Sequence, residues 1–120
     1  MNKETKKLID RFKNNIGFER LTKGNIYLLA GFVSEELKNH TRFELWVSNV
    51  KFVEKKGKIQ EVYIRLLGDY FSTERSGVNF EQKNNIVGFG GWMDDESCKP
   101  LEKGFEKWLN YIIDNKEVHK

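Results

Sequence analysis

The sequence predicts an α+β fold, a two-layer sandwich in which a curved antiparallel sheet of about five strands is flanked by an N-terminal and a C-terminal helix. Apolar residues recur at helical spacing near both ends of the chain, and short strand-like stretches separated by turn residues fill the middle. Strands and helices do not alternate, so a doubly wound parallel sheet is not expected. The 120 residues contain no Pro-, Gly- or Ser-rich linker, which predicts a single domain, 1–120.

Each of the two predicted helices has one apolar face. The first covers residues 2–16 and ends before Gly17, and its apolar face contains Leu8, Ile9, Phe12 and Ile16. The second begins at Pro100, a residue that suits a first helical turn. Its apolar face contains Leu101, Phe105, Trp108, Leu109 and Ile112.

The predicted strands begin with the run 26–33, which is apolar on both faces and is therefore expected to be central in the sheet. The clearest strand is 41–54, where the apolar alternation changes phase after Asn49. That change indicates a β-bulge, since one inserted residue restores a single core face. The remaining strands are predicted at 59–67, 78–81 and 86–93, with a hairpin turn at 55–58.

The composition predicts a folded protein of a reducing compartment. The chain is 38% apolar and 13% aromatic, too rich in aromatic residues for a disordered chain. Cys98 is its single cysteine, so no disulfide can form within it. The charged N-terminus lacks the pattern of a signal peptide, and the longest apolar run is too short to cross a bilayer. We therefore expect a cytoplasmic location.

No set of residues in the sequence matches an enzyme or metal motif. His40 and His119 are far apart, and one cysteine cannot complete a zinc site with them. A nucleophilic pair of Cys98 and His40 has no third residue to orient it. The glycine cluster 88–91 lacks the Lys-Ser/Thr ending of a phosphate-binding loop and is expected to mark a bulge or a close approach within a strand. No catalytic residue, metal or cofactor is predicted.

Two alternative functions follow from polar residues. The basic residues gather near the N-terminus and at the predicted hairpin turn, as Lys6, Lys7, Arg11, Lys55, Lys56 and Lys58. If they are adjacent, they form a phosphate-binding patch, and single-stranded bases stack on Trp46, Tyr63, Tyr70 and Phe71. The second alternative is a small-ligand pocket on the polar face of the sheet, near Arg42, Glu44, Glu61 and Arg65.

Aromatic residues outside the predicted core favour protein binding instead. Trp46 falls on the polar side of its strand, and Tyr70 and Phe71 fall in a predicted loop. Protein interfaces are rich in such anchors within a charged rim. The acidic run 94–96 either stabilises the start of the helix that follows or faces a basic partner. The predicted partner-binding residues are Trp46, Asp69, Tyr70, Phe71, Asp94, Asp95 and Glu96.

In size and organisation the chain resembles the small cytoplasmic immunity proteins of bacterial toxin systems. Those are often single α+β domains of similar length, rich in Lys, Asn and aromatic residues and without enzyme motifs. The resemblance lies in this general character and transfers no individual residue. It implies a non-enzymatic inhibitor that neutralises a cognate toxin by covering its active site. Acidic residues suit a toxin nuclease domain, because they imitate phosphate charge and speed association.

Overall fold

The computed structural model describes residues 3–39, 46–68, 71–73, 77–81, 86–90 and 95–115. The helices are α1 (Lys3–Asn15), α2 (Lys23–Lys38) and α3 (Asp95–Asp114), with a short 3-10 helix (Phe18–Arg20) between α1 and α2. The strands are β1 (Trp46–Lys55), β2 (Lys58–Gly68), β3 (Phe71–Thr73), β4 (Gly77–Glu81) and β5 (Ile86–Gly90).

Helix α1 lies where the sequence predicted it. The apolar residues at helical spacing, Leu8, Ile9 and Phe12, are all buried. The helix ends because the Phe12 carbonyl accepts hydrogen bonds from the amides of both Ile16 and Gly17, at 3.0 and 2.8 Å. Gly17 has a φ of 72°, a left-handed conformation that glycine adopts without a steric penalty.

Helix α2 corrects the prediction of a strand over 26–33. Thr22 caps its N-terminus, because the Thr22 side chain accepts a hydrogen bond from the Asn25 amide at 3.1 Å. The helix continues to Lys38 and buries residues three and four apart: Ile26, Leu29, Ala30, Val33 and Leu37. The β-branched residues Ile26 and Val33 favour strands, but tertiary packing outweighs that propensity here.

Helix α3 has the predicted apolar face, since Leu101, Phe105, Trp108, Leu109 and Ile112 are all buried. It begins at Asp95, five residues earlier than predicted, so Pro100 lies inside the helix instead of at its start. The indole Nε1–H of Trp108 donates a hydrogen bond to the Asn25 carbonyl of α2 at 2.8 Å. This bond satisfies a buried donor and fixes the two helices against each other.

The sheet is built around one long antiparallel hairpin of β1 and β2. Lys56 and Gly57, the two residues of its turn, have φ values of 55° and 77°, which is the type I′ pattern. The register shifts between Val47 and Asn49, and this confirms the predicted bulge. β3 and β4 each pair with a different part of β2, and β5 pairs with β4.

The predicted architecture is wrong, although the α+β class agrees with it. The described residues form three α-helices where two were predicted, because the stretch expected to be the central strand is α2. Among the described strands, only β1 and β2 form a long pair, and the other three strands have just three to five residues. The curved sheet of about five strands flanked by terminal helices therefore does not describe this fold.

The core lies between the three helices and the sheet. Phe12 packs against the rings of Phe18, Phe105 and Trp108, with centroid separations of 5.4, 6.1 and 5.9 Å. Val62 and Ile64 of β2 complete it, and both are fully buried. Buried Thr5 donates a hydrogen bond to Glu102, which joins α1 to α3. With this core in place, the outer side of α2 is left at the surface.

Candidate functional site

The outer side of α2 carries apolar side chains that the core does not bury. Tyr27 is 57% exposed, and Tyr111 of the neighbouring α3 is 37% exposed. Leu28 and Phe32 are partly buried, and Gly31 between them is exposed. Phe32 and Tyr111 pack together with ring centroids 5.9 Å apart. We call these five residues, Tyr27, Leu28, Gly31, Phe32 and Tyr111, the α2 face.

Contacts with the β1 strand hold the N-terminal end of the α2 face. The ring of Tyr27 meets that of Phe52 edge-on, with centroids 5.6 Å apart. Lys23 places its ammonium group 5.7 Å from the centre of the Phe52 ring and 3.3 Å from the Glu54 carboxylate. Tyr27 is therefore an exposed ring with a supported orientation, which reduces the entropy that it would lose on binding.

An ion pair borders the C-terminal end of the α2 face. Lys107 of α3 binds Glu36 of α2. The hydrogen bond that Lys107 donates to Glu36, followed by the negative charges of Glu36 and Glu35, raises the pKa of Lys107 above its ordinary value of 10.5. The α2 face thus has an apolar centre and charged residues at both ends, an arrangement typical of protein interfaces.

Sequence reasoning missed the α2 face because it assigned 26–33 to a strand. In a strand with both faces covered, Tyr27, Leu28 and Phe32 are all expected to be buried. The signal that could have found the face is that Tyr27, Leu28 and Phe32 fall outside the apolar stripe of a helix over 23–38. Large apolar side chains outside that stripe indicate a second covered surface.

The predicted partner-binding residues are only partly described. The backbone places Trp46 opposite Leu67 of β2 and Phe71 opposite Gly68, so they lie at the same end of the sheet on either side of β2. Asp95 and Glu96 open α3, where acidic residues are favoured by the helix dipole. Asp69, Tyr70 and Asp94 lie outside the described residues.

The predicted lysine patch divides between two depressions. Lys7 and Arg11 line an open groove of about 600 Å³ between α1 and α3, whose other lining residues include Lys103, Glu4 and Glu106. Lys58 lines a separate depression of about 520 Å³ beside the 3-10 helix. Lys6 is exposed on α1, and Lys55 and Lys56 are exposed at the hairpin turn. Acidic side chains line both depressions, so neither is a uniformly basic surface for phosphates.

The predicted small-ligand pocket rests on β2. Glu61, Tyr63 and Arg65 alternate with the buried residues Val62 and Ile64, so they share the opposite face of the strand. The Tyr63 hydroxyl donates a hydrogen bond to Glu61 at 3.0 Å. All three side chains are partly buried, and other residues line the two depressions described above. Arg42 and Glu44 lie outside the described residues.

The structure describes little of the remaining chemical candidates. His40 and His119 lie outside the described residues, so the Cys98–His40 pair remains without a geometry. The glycine cluster was predicted to lie within a strand. Gly88 and Gly90 do lie in β5, where they are opposite Asn79 and Gly77 of β4. Within the described ranges, no group of three or more His, Cys, Asp or Glu residues could hold a metal ion.

Neither the search for membrane-spanning helices nor the comparison with known proteins assigns a function. Across the parts of the chain that the structure describes, no helix has the length and apolar character needed to cross a membrane. Comparison with known proteins finds no family model, no curated protein and no solved structure that matches this chain.

Proposed function

We propose that the protein is a non-enzymatic binding protein whose α2 face is covered by another protein chain when it acts. The observation that carries this proposal is the 57% exposure of Tyr27 on the outer side of α2, next to the partly buried Leu28 and Phe32. Large aromatic residues at the middle of an interface, bordered by charged groups, are the residues that most often dominate protein binding.

The energetics favour a protein over a small ligand at this site. The α2 face is a convex helix surface, whereas small ligands bind in concave pockets that enclose most of their area. A partner that buries the exposed part of the Tyr27 ring gains on the order of 1–2 kcal/mol from that ring alone. The ring contact with Phe52 already restrains Tyr27, so little of this gain is lost to ordering.

The finer form of the proposal is inhibition of a toxin by an immunity protein. Its support is the resemblance in size, composition and absence of enzyme motifs, which points to a protein that neutralises its target by contact. The α2 face is the contact surface that the geometry supports best. The acidic start of α3, at Asp95 and Glu96, supplies a second contact for a basic toxin domain.

Site-specific photocrosslinking tests the proposal. A benzoylphenylalanine replaces Tyr27 in one variant and Asn14, an exposed residue of α1, in a matched control. Irradiation in the cells that produce the protein is expected to give a covalent protein adduct from position 27 and none from position 14. The purified partner should then bind the unmodified chain, and Tyr27→Ala should weaken that binding at least tenfold while Asn14→Ala leaves it unchanged. Equal adduct yields from the two positions would overturn the proposal.

A further inference from the structure

Four residues along α2 form one continuous ridge on its outer side. Lys23, Tyr27, Gly31 and Glu35 are spaced four apart, and side chains at that spacing line up along a helix. All four are exposed. Read from the N-terminus, the ridge presents a positive charge, an aromatic ring, a gap without a side chain and a negative charge.

The gap at Gly31 is open. A Cβ placed on Gly31 would meet no heavy atom within 4 Å, although its helix is packed tightly on the opposite side. The backbone of α2 is therefore accessible at this point to a bulky side chain from outside. Tyr27, one turn away on the same ridge, is a projecting ring of the size that such a gap accepts.

The ridge is complementary to itself when its direction is reversed. A two-fold axis through the midpoint between Tyr27 and Gly31 places a second ridge against the first. Glu35 of one copy then faces Lys23 of the other, and Tyr27 of one copy faces the gap at Gly31 of the other. Two copies related in this way make every contact twice, which is the property of an isologous dimer interface. Lys23 and Glu54 form an ion pair whose side chains remain 54% and 47% exposed, so Lys23 keeps room for a second acidic partner.

We propose that a second copy of this chain covers the α2 face, with the two α2 helices antiparallel and Tyr27 of each copy packed on Gly31 of the other. The inference rests on the proposed function, since it names the partner of the same surface. A toxin that contacts the α2 face would then have to displace the second copy.

Sedimentation velocity on the full chain tests the dimer. The unmodified protein is expected to change from monomer to dimer as its concentration rises. Lys23→Glu and Glu35→Lys should each weaken the dimer about tenfold or more, because each places like charges together twice per dimer. The double variant should restore it. That rescue is decisive, since the double variant still lacks the Lys23–Glu54 ion pair and a merely structural effect would persist.

Gly31→Leu provides a variant that keeps the fold. Leucine favours an exposed helix position more than glycine does, so the monomer should remain folded by circular dichroism while the dimer is lost. Lys13→Glu, an equal charge change at an exposed position of α1, should leave the dimer unchanged. A chain that stays monomeric at all concentrations, or a Gly31→Leu variant that dimerises as well as the unmodified chain, would overturn the inference.

The photocrosslinking experiment separates failure of this inference from failure of the proposed function. An adduct of twice the mass of the chain from position 27 supports both. An adduct with a different protein, together with a monomer in sedimentation, overturns the dimer and leaves the binding function standing. A monomer that gives no adduct specific to position 27 removes both.

Discussion

The two long sides of α2 differ in how closely other parts of the chain approach them. On the inner side, α3 comes so near that a Cβ added to Gly104 would lie 2.8 Å from the Val33 Cα. On the outer side, a Cβ added to Gly31 would meet nothing within 4 Å. The difference shows that apolar composition does not identify the buried side of a helix. The positions of the elements packed against the helix, here α3 and β1, decide it.

The largest expected effect is the difference in lost stability between a variant of buried Leu29 and a variant of exposed Tyr27. Leu29 is fully buried, so Leu29→Ala should lower the free energy of unfolding by about 3 kcal/mol through lost burial and a cavity. Tyr27→Ala removes only a partly covered ring and its contact with Phe52, and should cost about 1 kcal/mol or less. Urea denaturation at low protein concentration measures both. Similar losses from the two variants would contradict the assignment of inner and outer sides.

The two glycines should respond to alanine in opposite directions. Gly104→Ala is expected to destabilise the monomer by about 1–3 kcal/mol, because the new methyl group would force α2 and α3 apart. Gly31→Ala should stabilise it by about 0.5–1 kcal/mol, because alanine favours a helix interior and the site has space. Thermal unfolding of the two variants at matched protein concentration measures these changes in stability. A Gly104→Ala variant that is more stable than the unmodified chain would contradict the tight packing inferred at Gly104.

The smallest expected effect is a pH dependence at the C-terminal border of the α2 face. The hydrogen bond that Lys107 donates to Glu36 raises the folded-state pKa of Lys107 above 10.5, so the stabilisation from this pair is present below that pH and is lost as pH rises through the raised value. The melting temperature of the unmodified chain should exceed that of Lys107→Gln at neutral pH, and the difference should shrink in strong alkali. Lys38→Gln, at an exposed lysine of α2, serves as the control.

Residues with one dominant local signal could be placed from the sequence. Leu8, Ile9 and Phe12 repeat at helical spacing before a glycine, and the structure confirms the helix that they predict. The phase change after Asn49 was enough to predict the bulge, because strand side chains alternate strictly and one extra residue reverses the pattern. In both cases neighbouring residues alone contain the information.

The α2 helix could not be predicted in the same way, and for that reason the α2 face could not be predicted either. Residues 26–33 are apolar at strand spacing as well as at helical spacing, so periodicity does not separate the two structures. What decides between them is the cap at Thr22 together with two contacts to α3. These are the Trp108 hydrogen bond to Asn25 and the approach of Gly104 to Val33, residues more than 70 positions apart in each pair.

The aromatic cluster has a consequence for how the chain is made. Phe12 and Phe18 come from its beginning, whereas Phe105 and Trp108 are translated only after the whole sheet. At roughly 5–20 residues per second, a ribosome needs about 4–18 seconds to bridge that interval. During this time α1 and α2 have no α3 to pack against, and their apolar sides are open to chaperones. A nascent chain arrested before α3 should therefore bind such holdases, and release should follow once α3 emerges.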